Sequence, residues 1–401
     1  MITDKINLKV KSNKMSPPPP IIKYMGSKRE LLKFVIDGIR SVHNGELICD
    51  LFAGSGVIGA TLKDDAKIWS NDIQEYSEIL SRTYLSQINQ NKFQGILHQI
   101  TRIAEEHVKS LKANLSSFRF IYKSGITLSE FQALEKNQQA LINHSFDGQD
   151  FHLFTKYYSG TYWSFEQCVW IDAYRKAADF YAKESIYPLI ISALMHAMAY
   201  NAQSTGHFAQ YRDANKASSM MDILIYRRRN IQPYFEKKFS ELLNYSTIHN
   251  KEHVFTSIDY MECLERIPDG SLVYADPPYN FVHYSRFYHA FETLVKYDYP
   301  EIAHKGRYRN ERHQSPFCQR ANVENAFKNL FTITSQKKLK LVLSYSNTGM
   351  INLQKVKEIA ENSTEYYDIY IKERKYTHST MGRAKDKSRN VNEILVFVVP
   401  K

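Results

Sequence analysis

Asp276-Pro-Pro-Tyr279 places a carboxylate, a free Pro277 carbonyl and a phenol ring within four residues. Such a set suits one kind of chemistry. The exocyclic amine of a nucleobase is a poor nucleophile, because its lone pair is delocalised into the ring. Two acceptors aimed at its two hydrogens, the Asp276 carboxylate and the Pro277 carbonyl, would localise that lone pair. Tyr279 offers a face on which a base taken out of its stack can lie. Pro277 and Pro278 fix their own φ near −65° and push Asp276 into an extended conformation. The plainer reading is a strand that stops at a Pro-Pro turn with an aspartate cap.

A short buried strand over Ser271–Tyr274 is predicted to carry this set at its carboxyl end, the edge where open α/β sheets hold ligands. The other parts of such a sheet are present. Glu46–Asp50 reads as a strand, followed by Gly54, Gly56 and Gly59 in a G-x-G-x-x-G turn and a helix from about Val57. Those glycines would let the backbone approach a nucleotide-like cofactor. Lys67–Asp72 reads as a second strand, and an acid at that tip accepts from ribose hydroxyls or caps the next helix. His253–Asp259 is a third strand with an acid at its end. Lys340–Tyr345 is a buried strand, and Tyr366–Lys372 with Val391–Val399 is a final strand pair. Before all of these, Leu31, Leu32, Val35, Ile36 and Ile39 recur at helical spacing behind a loop carrying Lys23 and Lys28.

Between the second and third strands the αβ rhythm stops. Residues 85–250 are predicted to be an inserted, mostly helical, target-recognising domain, with an apolar helix at Tyr187–Tyr200. The flanking stretches 21–84 and 251–401 form the α/β, Rossmann-like catalytic domain. Residues 1–20 end in four prolines and are expected to be a disordered arm. The chain has 53 basic and 42 acidic residues, a formal charge of +11, which favours a polyanionic partner. Residues 301–320 and Lys372–Arg389 concentrate that excess in segments expected to be loops. The four cysteines and 14 histidines show no metal-ligand spacing, so no metal is expected. No stretch reads as a membrane span or export signal, so no membrane partner is expected.

Taken together, Lys23-Tyr-Met-Gly-Ser-Lys28, Asp50-Leu-Phe-Ala-Gly-Ser-Gly56, Asp72, the long insertion, Asp259 and Asp276-Pro-Pro-Tyr279 resemble the Dam-like, alpha-group DNA adenine-N6 methyltransferases. The order of these pieces matches as well as their identity. The likeness covers residues 21–80 and 187–400, and Tyr24 stands where many relatives carry Trp. It implies a fold of the S-adenosylmethionine-dependent methyltransferase type. S-adenosylmethionine would be held by Tyr24, Lys28, Asp50, Phe52, Gly54, Ser55, Gly56, Asp72, Asp259 and Asp276. The catalytic set would be Asp276, Pro277, Pro278 and Tyr279. Double-stranded DNA would meet Ser204, Gly206, His207, Tyr211, Arg212, His283, Tyr284, Arg286 and Arg383. The implied reaction is direct in-line methyl transfer to a flipped adenine. A separately encoded cognate restriction endonuclease is the implied partner, and a prokaryotic or phage-encoded, cytoplasmic, nucleoid-associated protein the implied setting. Methylation of RNA adenine fits the same residues. An NAD(P)-binding oxidoreductase would use the glycine turn but leaves Asp-Pro-Pro-Tyr and the insertion unexplained.

Overall fold

The computed structural model describes residues 17–204, 206–246, 251–278, 284–379 and 388–401, the backbone alone for 376–379 and 388–391. Its strands are β1 (Ile48–Asp50), β2 (Ile68–Asn71), β3 (Val254–Thr256), β4 (Leu272–Ala275), β5 (Ile302–Ala303), β6 (Tyr308–Arg309), β7 (Lys340–Ser346), β8 (Tyr367–Ser379) and β9 (Ser388–Pro400). β5 and β6 make a small hairpin. The other seven form one sheet in the order β3-β2-β1-β4-β7-β9-β8. Pairing is parallel from β3 to β7, and β9 runs antiparallel to both β7 and β8. The chain leaves β1 toward β2 and β3, then returns to the far side of β1 as β4. That reversal between β1 and β4 is the point at which a crevice opens beyond the strand ends.

Both faces of the sheet are covered, which is why its central strands are apolar without interruption. Side chains alternate between two cores. Ile48, Leu272, Tyr274, Val342, Leu395 and Phe397 face one way, with α1 (Leu32–Arg40), α2 (Val57–Leu62) and α3 (Glu75–Leu85). Cys49, Val273, Ala275, Leu341, Leu343, Val396 and Val398 face the other, against the helices Tyr260–Arg266, Val323–Gln336 and Leu353–Ser363. The predicted stripe of α1 is the buried one, since Leu32, Val35, Ile36 and Ile39 are all inside.

Among the described residues seven α-helices lie in sequence between α3 and β3: Ile96–Asn114, Leu128–Gln139, Leu153–Tyr158, Phe165–Asp179, Tyr187–Asn201, Ala217–Arg227 and Ile231–Tyr245. Tyr187–Asn201 is apolar nearly all round because other elements enclose it. It docks on α3, where the Thr83 hydroxyl donates to the Pro188 carbonyl and meets Ser192 Oγ at 2.7 Å. These helices share one continuous hydrophobic core with the first face of the sheet. Arg227 and Glu135 form a buried ion pair at 2.7 Å that ties two of them together.

Two expectations change. Residues 17–20 of the proline run are docked rather than loose at their end. Arg29, Tyr84 and Lys238 donate to the carbonyls of Pro18, Pro19 and Pro20, which have no proline N–H to compete with them. The final strand pair is longer than Tyr366–Lys372 and Val391–Val399, because β8 runs to Ser379 and β9 starts at Ser388. Charged residues such as Glu373, Arg374 and Lys375 read as a loop, but on an edge strand their side chains point into solvent and guard the edge.

Candidate functional site

A cavity of about 1120 Å³, its open mouth included, lies beyond the carboxyl ends of β1, β2 and β4. Its wall carries Tyr24, Lys28, Asp50, Phe52, Gly54, Ser55, Asp72, Asp259, Asp276, Pro277 and Pro278. Sequence reasoning named all of these, and they come from five separate segments. Gly56 sits just behind, as the left-handed residue at φ +71° that opens α2.

Each segment is set by a local device. Gly54 has φ +53°, and a Cβ there would lie 3.0 Å from the Tyr24 ring, so only glycine lets turn and ring meet. Tyr24 is itself packed against Tyr288, with centroids 5.0 Å apart, and against Tyr284 at 5.6 Å, the latter two rings being 6.3 Å from each other. Asp72 accepts from the Gly54 N–H at 2.9 Å and the Gln74 N–H at 3.0 Å. It therefore pins the glycine turn and the approach to α3 with one carboxylate, while the N-cap of α3 is Gln74 and not Asp72. Asp50 accepts from Gly59 at 3.3 Å. Asp259 caps the helix Tyr260–Arg266 through the Met261 N–H at 2.9 Å. Phe52 stacks on Tyr260 and meets Phe317 edge-on.

The wall is acidic, with Asp50 buried and Asp72, Asp259 and Asp276 partly exposed. Burial pushes the Asp50 carboxyl up to about 7 and Asp72 up to about 6, each opposed by backbone N–H donors. Burial also raises Asp276, while the Lys28 ammonium pulls it back down. Lys28 Nζ stands 3.0 Å from Asp276 and 2.8 Å from Glu393. Lys28 is thus tied to two acids at the cavity wall. Ser27 Oγ and Gln74 Oε1 are buried on the same wall without a hydrogen-bond partner among the described residues. Buried acceptors and hydroxyls left in this state fit a ligand that brings hydroxyl or amine donors. Among the described residues no cluster of His, Cys, Asp and Glu could hold a metal.

A second cavity of about 650 Å³ is lined by Lys23, Tyr200, Ser204, Gly206, Tyr226 and Arg229, among others. Of the predicted DNA residues it holds Ser204 and Gly206. His207 packs on Phe287 at 4.4 Å, Tyr211 lies under Lys305, and Arg212 pairs with Asp222 at 3.6 Å. Arg286 lies over the Tyr308 ring. Tyr284 is on the wall of the first cavity. Tyr279, His283 and Arg383 lie outside the described residues. In the basic segment 301–320, Arg309 is spent on Asp298 and Lys305 on Asp213, so two of its charges are already neutralised.

Sequence reasoning missed Glu393 and Ser344 behind Asp276, and Lys23, Tyr200 and Arg229 in the second cavity. Glu393 carried a signal, as an acid beside the apolar run Ile394–Val399.

The family model for D12 class N6 adenine-specific DNA methyltransferases matches residues 24–378. Over 380 residues the chain is 20% identical to the Modification methylase LlaI of Lactococcus lactis subsp. lactis, covering 94% of this chain and 54% of that protein. Over 393 residues it is 24% identical to the Type II methyltransferase M.FokI of Planomicrobium okeanokoites, covering 94% and 52%. It is also 24% identical over 387 residues to the Type II methyltransferase M.NlaIII of Neisseria lactamica, covering 93% and 97%. The chain thus spans about half the length of the first two relatives and nearly all of the third.

Proposed function

The chain belongs to the D12 class N6 adenine-specific DNA methyltransferases, and we propose that it methylates the N6 amine of adenine in double-stranded DNA, with S-adenosylmethionine as donor. Bound in the first cavity, that donor would supply an electrophilic methyl group on a sulfonium.

The chain's own residues supply the rest. Asp276 and the Pro277 carbonyl take hydrogen bonds from the target amine, which localises its lone pair and stabilises the positive charge that develops there. Tyr279 gives the extruded base a stacking face. Asp72 and Asp259 would accept from the donor's sugar and base, and the turn at Gly54 and Gly56 would leave room for it against the backbone. The aromatic stack of Tyr24, Tyr284 and Tyr288 closes one side against water. Residues 85–250 form the target-recognising part, with residues 21–84 and 251–401 the catalytic part. The partner is DNA, bound through the basic surface, and the setting is a restriction-modification system with its own endonuclease.

The observation that carries this reading is the position of Asp276. It stands at the end of β4 on the same cavity wall as the glycine turn and Asp72, its side chain 19% exposed rather than turned into the core. The test is direct. The purified chain is incubated with DNA and S-adenosylmethionine, and N6-methyladenine is quantified and mapped in the product. Absence of that base, with the cofactor bound, refutes the reading; equal transfer to RNA would change the substrate.

A further inference from the structure

The carboxylate that this function needs as an acceptor is paired at rest. Lys28 Nζ lies 3.0 Å from Asp276 Oδ1, and the Lys28 side chain is only 6% exposed. A buried contact pair of this kind weakens an acid as a hydrogen-bond acceptor, because the ammonium already satisfies it. The same ammonium is shared. Glu393 Oε1 lies 2.8 Å from it, fully buried on β9, and Ser344 of β7 donates to the same oxygen.

One ammonium thus faces two carboxylates. The ammonium and the two carboxylates together carry a formal surplus of negative charge. Neutral packing would need one acid only, and a second buried acid in a strand is costly unless it acts on its neighbours. The groups that face Asp276 are Lys28 from the turn before α1, Tyr274 beside it on β4, Asp50 from β1, Glu393 from β9 and Ser344 from β7. Burial raises Asp276, Lys28 lowers it, and Glu393 raises it again.

We propose that Glu393 is a positioning residue for the transfer step: by holding the Lys28 ammonium it keeps Asp276 from being neutralised, so the Asp276 carboxylate stays able to accept from the target amine. The inference rests on the role given to Asp276 above. The register that makes it possible is the antiparallel pairing of β7 with β9, which sets Ser346 opposite Glu393.

The test uses the full chain as Glu393→Gln and as Lys28→Met, each also combined with Asp276→Asn. Melting temperature against pH, without any ligand, gives the titration of Asp276 as the difference between each variant and its Asp276→Asn counterpart. Single-turnover transfer to DNA is followed over the same pH range, and cofactor affinity by calorimetry. Glu393→Gln should move the Asp276 titration and the acid limb of the rate to lower pH by about one unit, and lower the rate about tenfold. Its cofactor affinity should stay within about threefold of the wild type. Lys28→Met should move the titration the other way. A Glu393→Gln chain with the wild-type titration and rate overturns the proposal. If Glu393→Gln does not fold, a Lys28→Met titration that stays put or falls overturns it equally. A wild-type chain that transfers no methyl group overturns the proposed function whatever the titrations do. Unmoved titrations in a chain that does transfer remove the role of Glu393 alone.

Discussion

Consecutive residues, Lys23 and Tyr24, serve two cavities of opposite character. Tyr24 lines the first, where Asp50, Asp72, Asp259 and Asp276 supply acceptors tied to backbone N–H groups or to Lys28. Lys23 lines the second, where the charges are basic and are braced by rings. Its ammonium is 5.6 Å from the Tyr200 ring, and the Arg229 guanidinium 4.3 Å from that of Tyr226, with Arg229 also donating to the Tyr200 carbonyl at 2.7 Å. Acceptors fixed on turns suit a small ligand rich in donors. Cations braced on aromatic faces keep their charge available to a phosphate. On the proposed function the first cavity would take the cofactor and the second would meet nucleic acid, so each variant should disturb one while sparing the other.

The largest effect belongs to Asp276→Ala. Removing an acceptor needed where charge develops should lower single-turnover methyl transfer roughly 10²- to 10³-fold. DNA affinity in a mobility-shift titration should change little. A variant that transfers at the wild-type rate would remove Asp276 from the chemistry. Loss of DNA binding instead would mean that the two cavities are one functional surface. Next in size is Gly54→Ala, which needs a left-handed backbone and sets a methyl group against the Tyr24 ring. That strain should cost about 1–2 kcal/mol and weaken S-adenosylmethionine binding about tenfold, with DNA affinity unchanged.

The first cavity was legible in the sequence for a physical reason. Prolines at 277 and 278, glycines at 54 and 56, and acids at the ends of Lys67–Asp72 and His253–Asp259 act through their own backbone, so their meaning is local. A doubly wound sheet then brings strand ends together without further information. Glu393 was not legible, because its meaning depends on the register of β9 against β7 and on Lys28, 365 positions away. The second cavity was half legible. Ser204 and Gly206 sit in a marked turn, but Lys23 and Arg229 reach them only through the packing of Tyr187–Asn201 against its neighbours. The edge strand β8 was cut short by the same limit, since exposed charge reads alike in a loop and on a sheet edge.

The second cavity has its own test. Lys23→Ala and Arg229→Ala should each weaken DNA binding about three- to tenfold at moderate salt and reduce the salt slope by about one. Cofactor affinity should not change. Arg229→Lys should restore part of the binding, because it keeps the charge and loses the flat contact with Tyr226. Unaltered salt slopes would move the DNA path elsewhere on the basic surface. A parallel loss of cofactor affinity would erase the division at Lys23 and Tyr24.

The smallest effect concerns the acidic wall alone. Asp50 and Asp72 have carboxyl groups raised by burial to about 7 and about 6 in the folded chain. In the unfolded chain they titrate near an ordinary aspartate, at about 3.9. Between those values the folded state binds more protons, so stability falls as pH rises. The stabilisation is whole below about pH 4 and is lost as pH climbs through about 6 for Asp72 and about 7 for Asp50. Even a part of that shift, on the order of 1 kcal/mol, should raise the melting temperature of the ligand-free chain by about 1–3 °C between pH 8 and pH 5.5. Asp50→Asn should flatten the upper part of that slope, because the amide keeps an oxygen for the Gly59 N–H and no longer titrates. A ligand-free chain whose melting temperature is independent of pH over this range would show that the wall is wet, and its acids would then lose the acceptor strength that sets them apart from the second cavity.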